Sequence, residues 1–125
     1  MAEFAPTVPR ITDEMFLVVA YDGEGSAAAR DDKLGEHLEY IEKRYENYVI
    51  CGPLREPGET ELIGSFFLVR AANEKAASEL VLNDPYVISG MYAQVSVLSA
   101  TAAAGTMIGG VIWESAEAIR AATTS

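Results

Sequence analysis

His37 is the one histidine of the chain, and Asp84, in Asn83-Asp84-Pro85-Tyr86, is its one aspartate directly followed by proline. An imidazole and a carboxylate are the smallest set of side chains that can take and hold a proton near neutral pH. Asp84 would accept from one ring nitrogen and fix the tautomer, leaving the other nitrogen as a general base. The alternative is purely structural: Asp84 caps a short helix that has Pro85 in its first turn, worth about 1 kcal/mol, and His37 fills a helix flank. Both can hold for Asp84, because one carboxylate oxygen can cap while the other faces the imidazole.

Periodicity places the elements that must position this pair. Met15–Tyr21 is a continuous apolar run with β-branched residues, a strand covered on both faces. A helix spans residues 27–45, with Leu34, Leu38, Ile41 and Tyr45 as its inward stripe. His37 lies about 60° from the centre of that stripe, on the border between core and solvent. Gly35 costs this helix about 1 kcal/mol relative to alanine and would permit a close approach to its face. Tyr48–Leu54 is a second strand ended by Gly52-Pro53, followed by a charged turn around Pro57-Gly58. Leu62–Ala71 is a third strand, with Ser65, Phe67 and Val69 on one face and Phe66, Leu68 and Arg70 on the other. Asn73 caps a helix through Leu82, Asp84-Pro85 opens a short helical turn, and Met91–Leu98 is a fourth strand.

The order β-α-β-β-α-β predicts an α+β, ferredoxin-like domain. Its alternating directions gather Gly52 and Pro53, the start of the third strand with Ser65, Asp84, and the first half of the long helix with His37 at one end of the sheet. Tyr86 and Tyr92 could line a pocket there for a ring-shaped ligand, or serve as core or interface residues. Every strand is apolar on both sides, so a single helix layer does not cover the sheet. A homodimer or higher homo-oligomer is the expected remedy.

The 125 residues include 19 acidic and 9 basic, a net charge of −10. That charge repels phosphate backbones and anionic lipid, and no Lys/Arg cluster offsets it, so neither nucleic acid nor membrane is an expected partner. One Cys and one His do not make a zinc site, and no metal or cofactor is expected. Cys51 has no internal disulfide partner and reads as a buried structural thiol in a reduced, cytoplasmic setting. Asp31, Asp32 and Glu36 read as an exposed helix face. Gly23-Glu24-Gly25-Ser26-Ala27-Ala28 has dinucleotide-loop spacing, but Asp22, Glu24, Asp31 and Asp32 crowd the place a pyrophosphate would occupy. Residues 1–14 read as a loose arm without the features of a secretory signal, 15–100 as the domain, and 101–125 as a tail packing on the domain or on a partner subunit. The tail holds the apolar stretch 105–113 and a frayed helix near 114–121. Its apolar run is shorter than the roughly 20 residues of a membrane span.

Lys33-Leu34-Gly35-Glu36-His37-Leu38, Cys51-Gly52-Pro53-Leu54, Gly64-Ser65, Asp84-Pro85-Tyr86-Val87 and Gly90-Met91-Tyr92 occur in that order. This series resembles the YciI-like (YCII-related) proteins over residues 15–98. The resemblance implies a dimeric α/β barrel of two ferredoxin-like subunits. It also implies a site made of His37 and Asp84, with Ser65 as a pocket hydroxyl and Gly52, Pro53 and Tyr86 beside the substrate. Where the family usually has an arginine close before the histidine, the nearest basic residue here is Lys33. The expected function is a small-molecule enzyme of lyase, isomerase or hydrolase type acting without a cofactor on a small, aromatic-derived substrate. A non-catalytic small-ligand-binding or accessory dimer, and a purely structural dimer, are the alternatives.

Overall fold

The computed structural model describes residues 14–123, so the expected arm lies outside the described residues except for Glu14. These residues fall into two compact units, 14–100 and 101–123. The larger unit runs β1 (Met15–Asp22), α1 (Ser26–Arg44), β2 (Tyr48–Leu54), β3 (Gly64–Arg70), α2 (Glu74–Leu82), α3 (Pro85–Ile88) and β4 (Tyr92–Ala100). Its sheet has the order β2-β3-β1-β4 with antiparallel neighbours throughout. That is the ferredoxin-like arrangement the element order predicts. A dinucleotide loop belongs to a parallel βαβ unit, so the glycines at 23 and 25 have a different role here. Gly25, at φ 77°, is the left-handed residue that starts α1.

The sheet register assigns every strand residue a face. Cys51, Phe67, Val18 and Val97 form one row across all four strands, and Tyr48, Val69 and Phe16 lie beside it. With Ala77 and Val81 of α2 these make the core. The opposite face carries the row Ile50, Leu68, Leu17 and Leu98. Its outer members are 52% and 54% exposed. Asn73 caps α2 as expected, its side chain accepting from the Ala76 amide at 2.8 Å.

The long helix is less buried on its leucine stripe than expected. Leu34 and Leu38 are each 46% exposed, Tyr45 is exposed too, and no residue of α1 is fully buried. The less exposed side is Arg30, Lys33, His37, Tyr40, Ile41 and Arg44. Leu34 and Leu38 face a hollow beneath the helix and Ile41 packs against the core, while polar groups fasten the neighbouring side. The Tyr40 hydroxyl donates to the Leu80 carbonyl, the Tyr86 hydroxyl to the Arg30 carbonyl, and His37 meets Asp84. Ion pairs and hydrogen bonds aim a helix in a way that apolar periodicity does not report. Gly35 is exposed, with nothing within 4 Å of where a Cβ would stand, so no close approach among the described residues explains it.

The smaller unit contains a hairpin of β5 (Ala104–Gly105) and β6 (Gly110–Val111) around a helical turn at Thr106–Ile108, then α4 (Ala116–Thr123). Ser115 accepts from the Ala118 amide at 3.1 Å and opens α4 where a helix is expected.

Two glycines should respond oppositely to alanine. Gly35→Ala should raise stability by about 0.5–1 kcal/mol, because it removes only a helix penalty. A Cβ at Gly64 would sit 2.3 Å from the Ala20 carbonyl oxygen. Gly64→Ala should therefore cost about 1–3 kcal/mol. Urea unfolding of the two variants reads both signs.

Candidate functional site

Asp84 precedes α3 in extended conformation, and its Oδ1 accepts from the Tyr86 amide at 2.9 Å, with Pro85 in the first turn. The same carboxylate is 0% exposed, and His37 Nδ1 lies 2.8 Å from Oδ1 and 2.9 Å from Oδ2. The cap and the imidazole partner are thus one group. An ionised carboxylate only accepts, so a neutral imidazole bonded to it carries its proton on Nδ1 and has its lone pair on Nε2. Nε2 has no hydrogen bond among the described residues. The Tyr86 ring stacks on the imidazole at 3.8 Å and 8°, and its hydroxyl donates to the Arg30 carbonyl at 3.3 Å. The ring is therefore held by its edge and by one face.

A second polar group lies two helical turns earlier on the same side of α1. Arg30 donates through Nε to Asp22 Oδ2 (3.1 Å) and through Nη2 to Asp22 Oδ1 (2.9 Å), Gly64 O (3.0 Å) and Ser65 Oγ (3.2 Å). Burial works against the guanidinium charge, but Asp22 outweighs it and the net shift is upward. Ser65 Oγ is also 2.8 Å from the Tyr92 hydroxyl. A register shift in the β1–β4 pairing sets Asp22 opposite Tyr92, where unbroken alternation would set Ala93. This bulge turns Tyr92 to the face that carries Ser65. Lys33, the nearest basic residue in sequence, instead pairs with Asp32 and Glu36 at the surface.

Between α1 and the sheet is a cavity of about 240 Å³. Arg30, His37, Ser65 and Tyr86 line it together with Gly52 and Pro53, while Leu34, Leu38, Leu62 and Phe67 make apolar walls. His37, Ser65, Gly52, Pro53 and Tyr86 meet here, with Asp84 behind His37, whereas Tyr92 does not line the cavity. Cys51 also lines the cavity, and burial followed by the Asp84 charge pushes its thiol up, away from thiolate chemistry. Arg30 and Asp22 are the members that sequence reasoning missed. The available signal was spacing, since Arg30 precedes His37 by seven residues, nearly two full turns. Two wider, more open hollows near Asn47 and Arg70 hold none of these groups. Among the described residues no cluster of three His, Cys, Asp or Glu is placed to hold a metal, and no helix is long and apolar enough to cross a membrane.

Residues 15–101 match the YCII-related domain. A similar solved structure is that of 5-chloro-2-hydroxyhydroquinone dehydrochlorinase (TftG) from Burkholderia phenoliruptrix AC1100, in complex with 2,5-dihydroxybenzoquinone. It is 27% identical, over 73% of this chain and 95% of that one, with a TM-score of 0.63. An Arabidopsis thaliana protein is a more distant likeness, 12% identical over 74% of this chain and 97% of that one, with a TM-score of 0.43. No curated protein sequence matches the chain significantly.

Burial, only partly opposed by Ser65 and Arg30, pushes the Tyr92 phenol up to about 12. An unfolded tyrosine ionises near pH 10, roughly. The folded chain therefore keeps this proton over the interval between. Tyr92 contributes its full stabilisation below about pH 10 and loses it as pH rises through about 12. Urea unfolding across that range should show the decline, and Tyr92→Phe should make it shallower, with the buried Tyr48 phenol, also pushed up, contributing the remainder.

Proposed function

The chain belongs to the YCII-related domain family, and on that premise we propose that it is a small-molecule enzyme in which His37, oriented by Asp84, moves a proton at a ring-sized organic substrate. One observation carries the reading. The imidazole has Nδ1 2.8 Å from a fully buried carboxylate, and its Nε2 has no protein partner among the described residues, at the wall of a largely apolar cavity. A histidine that merely fills a helix flank has no need of such a partner.

Lyase chemistry is favoured by the likeness to TftG, a protein named as a dehydrochlorinase. In loss of HCl a base takes the proton, that bonding pair shifts into the ring skeleton, and the C–Cl pair leaves with chloride. Nε2 would be the base, and Asp84 would stabilise the imidazolium that forms. The Ser65 hydroxyl and the backbone near Gly52 and Pro53 would hold a substrate oxygen, with Tyr86 keeping the imidazole plane fixed. Isomerase or hydrolase chemistry would use the same base on a different bond. Chloride release from 5-chloro-2-hydroxyhydroquinone, and hydrolysis of small lactones, are the assays to begin with. His37→Asn should lower the turnover found by about 10²–10⁴-fold. Asp84→Asn should lower it comparably by favouring the wrong tautomer. Turnover that survives His37→Asn unchanged would overturn the reading, and binding without turnover would leave a non-catalytic ligand-binding protein.

Self-association is part of the same proposal. Ile50, Leu68, Leu17 and Leu98 form an apolar row on the sheet face away from α2, and a second copy of that face would cover it. Leu98→Glu should shift the protein from dimer to monomer in sedimentation velocity. A wild-type chain that sediments as a monomer would contradict it.

A further inference from the structure

The cavity has a polar end of which the proposed chemistry uses only the Ser65 hydroxyl. Arg30 reaches it from α1, with its Nε and Nη2 occupied by Asp22, Gly64 and Ser65. Nη1 makes no hydrogen bond with any described residue, which leaves two N–H donors. Ser65 Oγ accepts from Arg30, and the neighbouring Tyr92 phenol stays protonated at neutral pH and can donate to it. The Ser65 proton is then free to point into the cavity. Every unspent polar hydrogen at this end is a donor, whereas the unspent atom at the other end, His37 Nε2, is an acceptor.

We infer that this end is an oxyanion recess, in which Arg30 Nη1 and Ser65 Oγ bind an ionised oxygen (a phenolate or enolate) of a monocyclic ligand, and that Asp22 is a positioning residue holding the guanidinium for it. The inference rests on reading this cavity as the substrate site, and it is independent of whether His37 is a base. An acceptor is required there, and a charged one gains most, because N–H···O⁻ bonds are roughly twice as strong as neutral ones. Arg30 is the charged donor in a cavity otherwise walled by Leu34, Leu38, Leu62 and Phe67, inside a chain of net charge −10. The size of the cavity, about 240 Å³, suits a single ring rather than a larger ligand. Asp22 does not block the recess. It takes the Nε and Nη2 donors and leaves Nη1 without a partner among the described residues. Its own backbone is pinned, with its amide bonded to the Ile63 carbonyl at 2.9 Å. Both side chains are nearly buried, at 13% and 8% exposure, so the fork has little freedom to turn.

Two ring-sized probes test this on the full chain: 4-nitrophenol, whose phenolate has its own absorbance band, and 4-nitroanisole, which does not ionise. At a pH just below the free phenol's ionisation, wild-type protein should increase the phenolate band and bind the anisole about tenfold more weakly or worse. Arg30→Met should abolish the increase and leave anisole binding in place. Asp22→Asn should reduce the increase without changing anisole binding, a split that general loosening of the fold would not produce. His37→Asn, inactive under the proposed chemistry, should keep the phenolate band. If Arg30→Met does not fold, Ser65→Ala carries the test, with an expected loss of about three- to tenfold for the phenolate alone. The recess is overturned if neither probe binds, if both bind equally, or if the increase survives Arg30→Met. It is overturned equally if the increase vanishes in His37→Asn, which would assign proton capture to the imidazole.

Discussion

A carboxylate with no access to water must be met by donors, and Asp84 is met by two kinds at once. The Tyr86 amide and the His37 ring both point at it. One bond starts α3 and the other fastens α3 to α1. Cutting either leaves a buried acceptor under-bonded, a defect on the order of 1–3 kcal/mol. The imidazole is therefore oriented by a contact the fold cannot readily give up, and orientation of the ring is what acid–base chemistry asks of the protein.

Arg30 repeats the pattern at the other end of the cavity. It too is a side chain of α1 held by an acid from a different element, here Asp22 at the end of β1. Two acids from distant parts of the sequence thus set two side chains of one helix. The bulge that faces Asp22 with Tyr92 completes the polar end, because it brings a phenol to Ser65 that regular alternation would have sent to the other face.

The strands, their faces and both short caps were legible in the sequence because each follows from local chemistry. Alternation at Ser65–Val69, the amide-seeking side chain of Asn73 and the Asp84-Pro85 pair need no distant partner to be read. Topology sends His37 and the end of α2 to the same end of the sheet, and the family resemblance implies that they meet. The exposure of the α1 stripe follows from neither. A leucine stripe predicts burial of Leu34 and Leu38 only if packed side chains meet it, and here a hollow lies beneath them while Tyr40, His37 and Arg30 fasten the helix through polar bonds. Arg30 was hidden for the same reason, since an arginine in an acidic helix reads as solvated until its carboxylate partner is located. Tyr92 was visible as a candidate, but its direction depended on a one-residue slip that no pattern announces.

The polar attachment of α1 has a thermodynamic consequence. With no fully buried residue on that helix and a hollow beneath it, the hydrophobic interior is unfinished between Leu34, Leu38 and Phe67. A molecule that occupied the hollow would act as a surrogate piece of core, and its affinity would add to the free energy of folding by mass action. Resistance to heat would then report occupancy before any reaction is known, making melting behaviour a guide to the natural ligand.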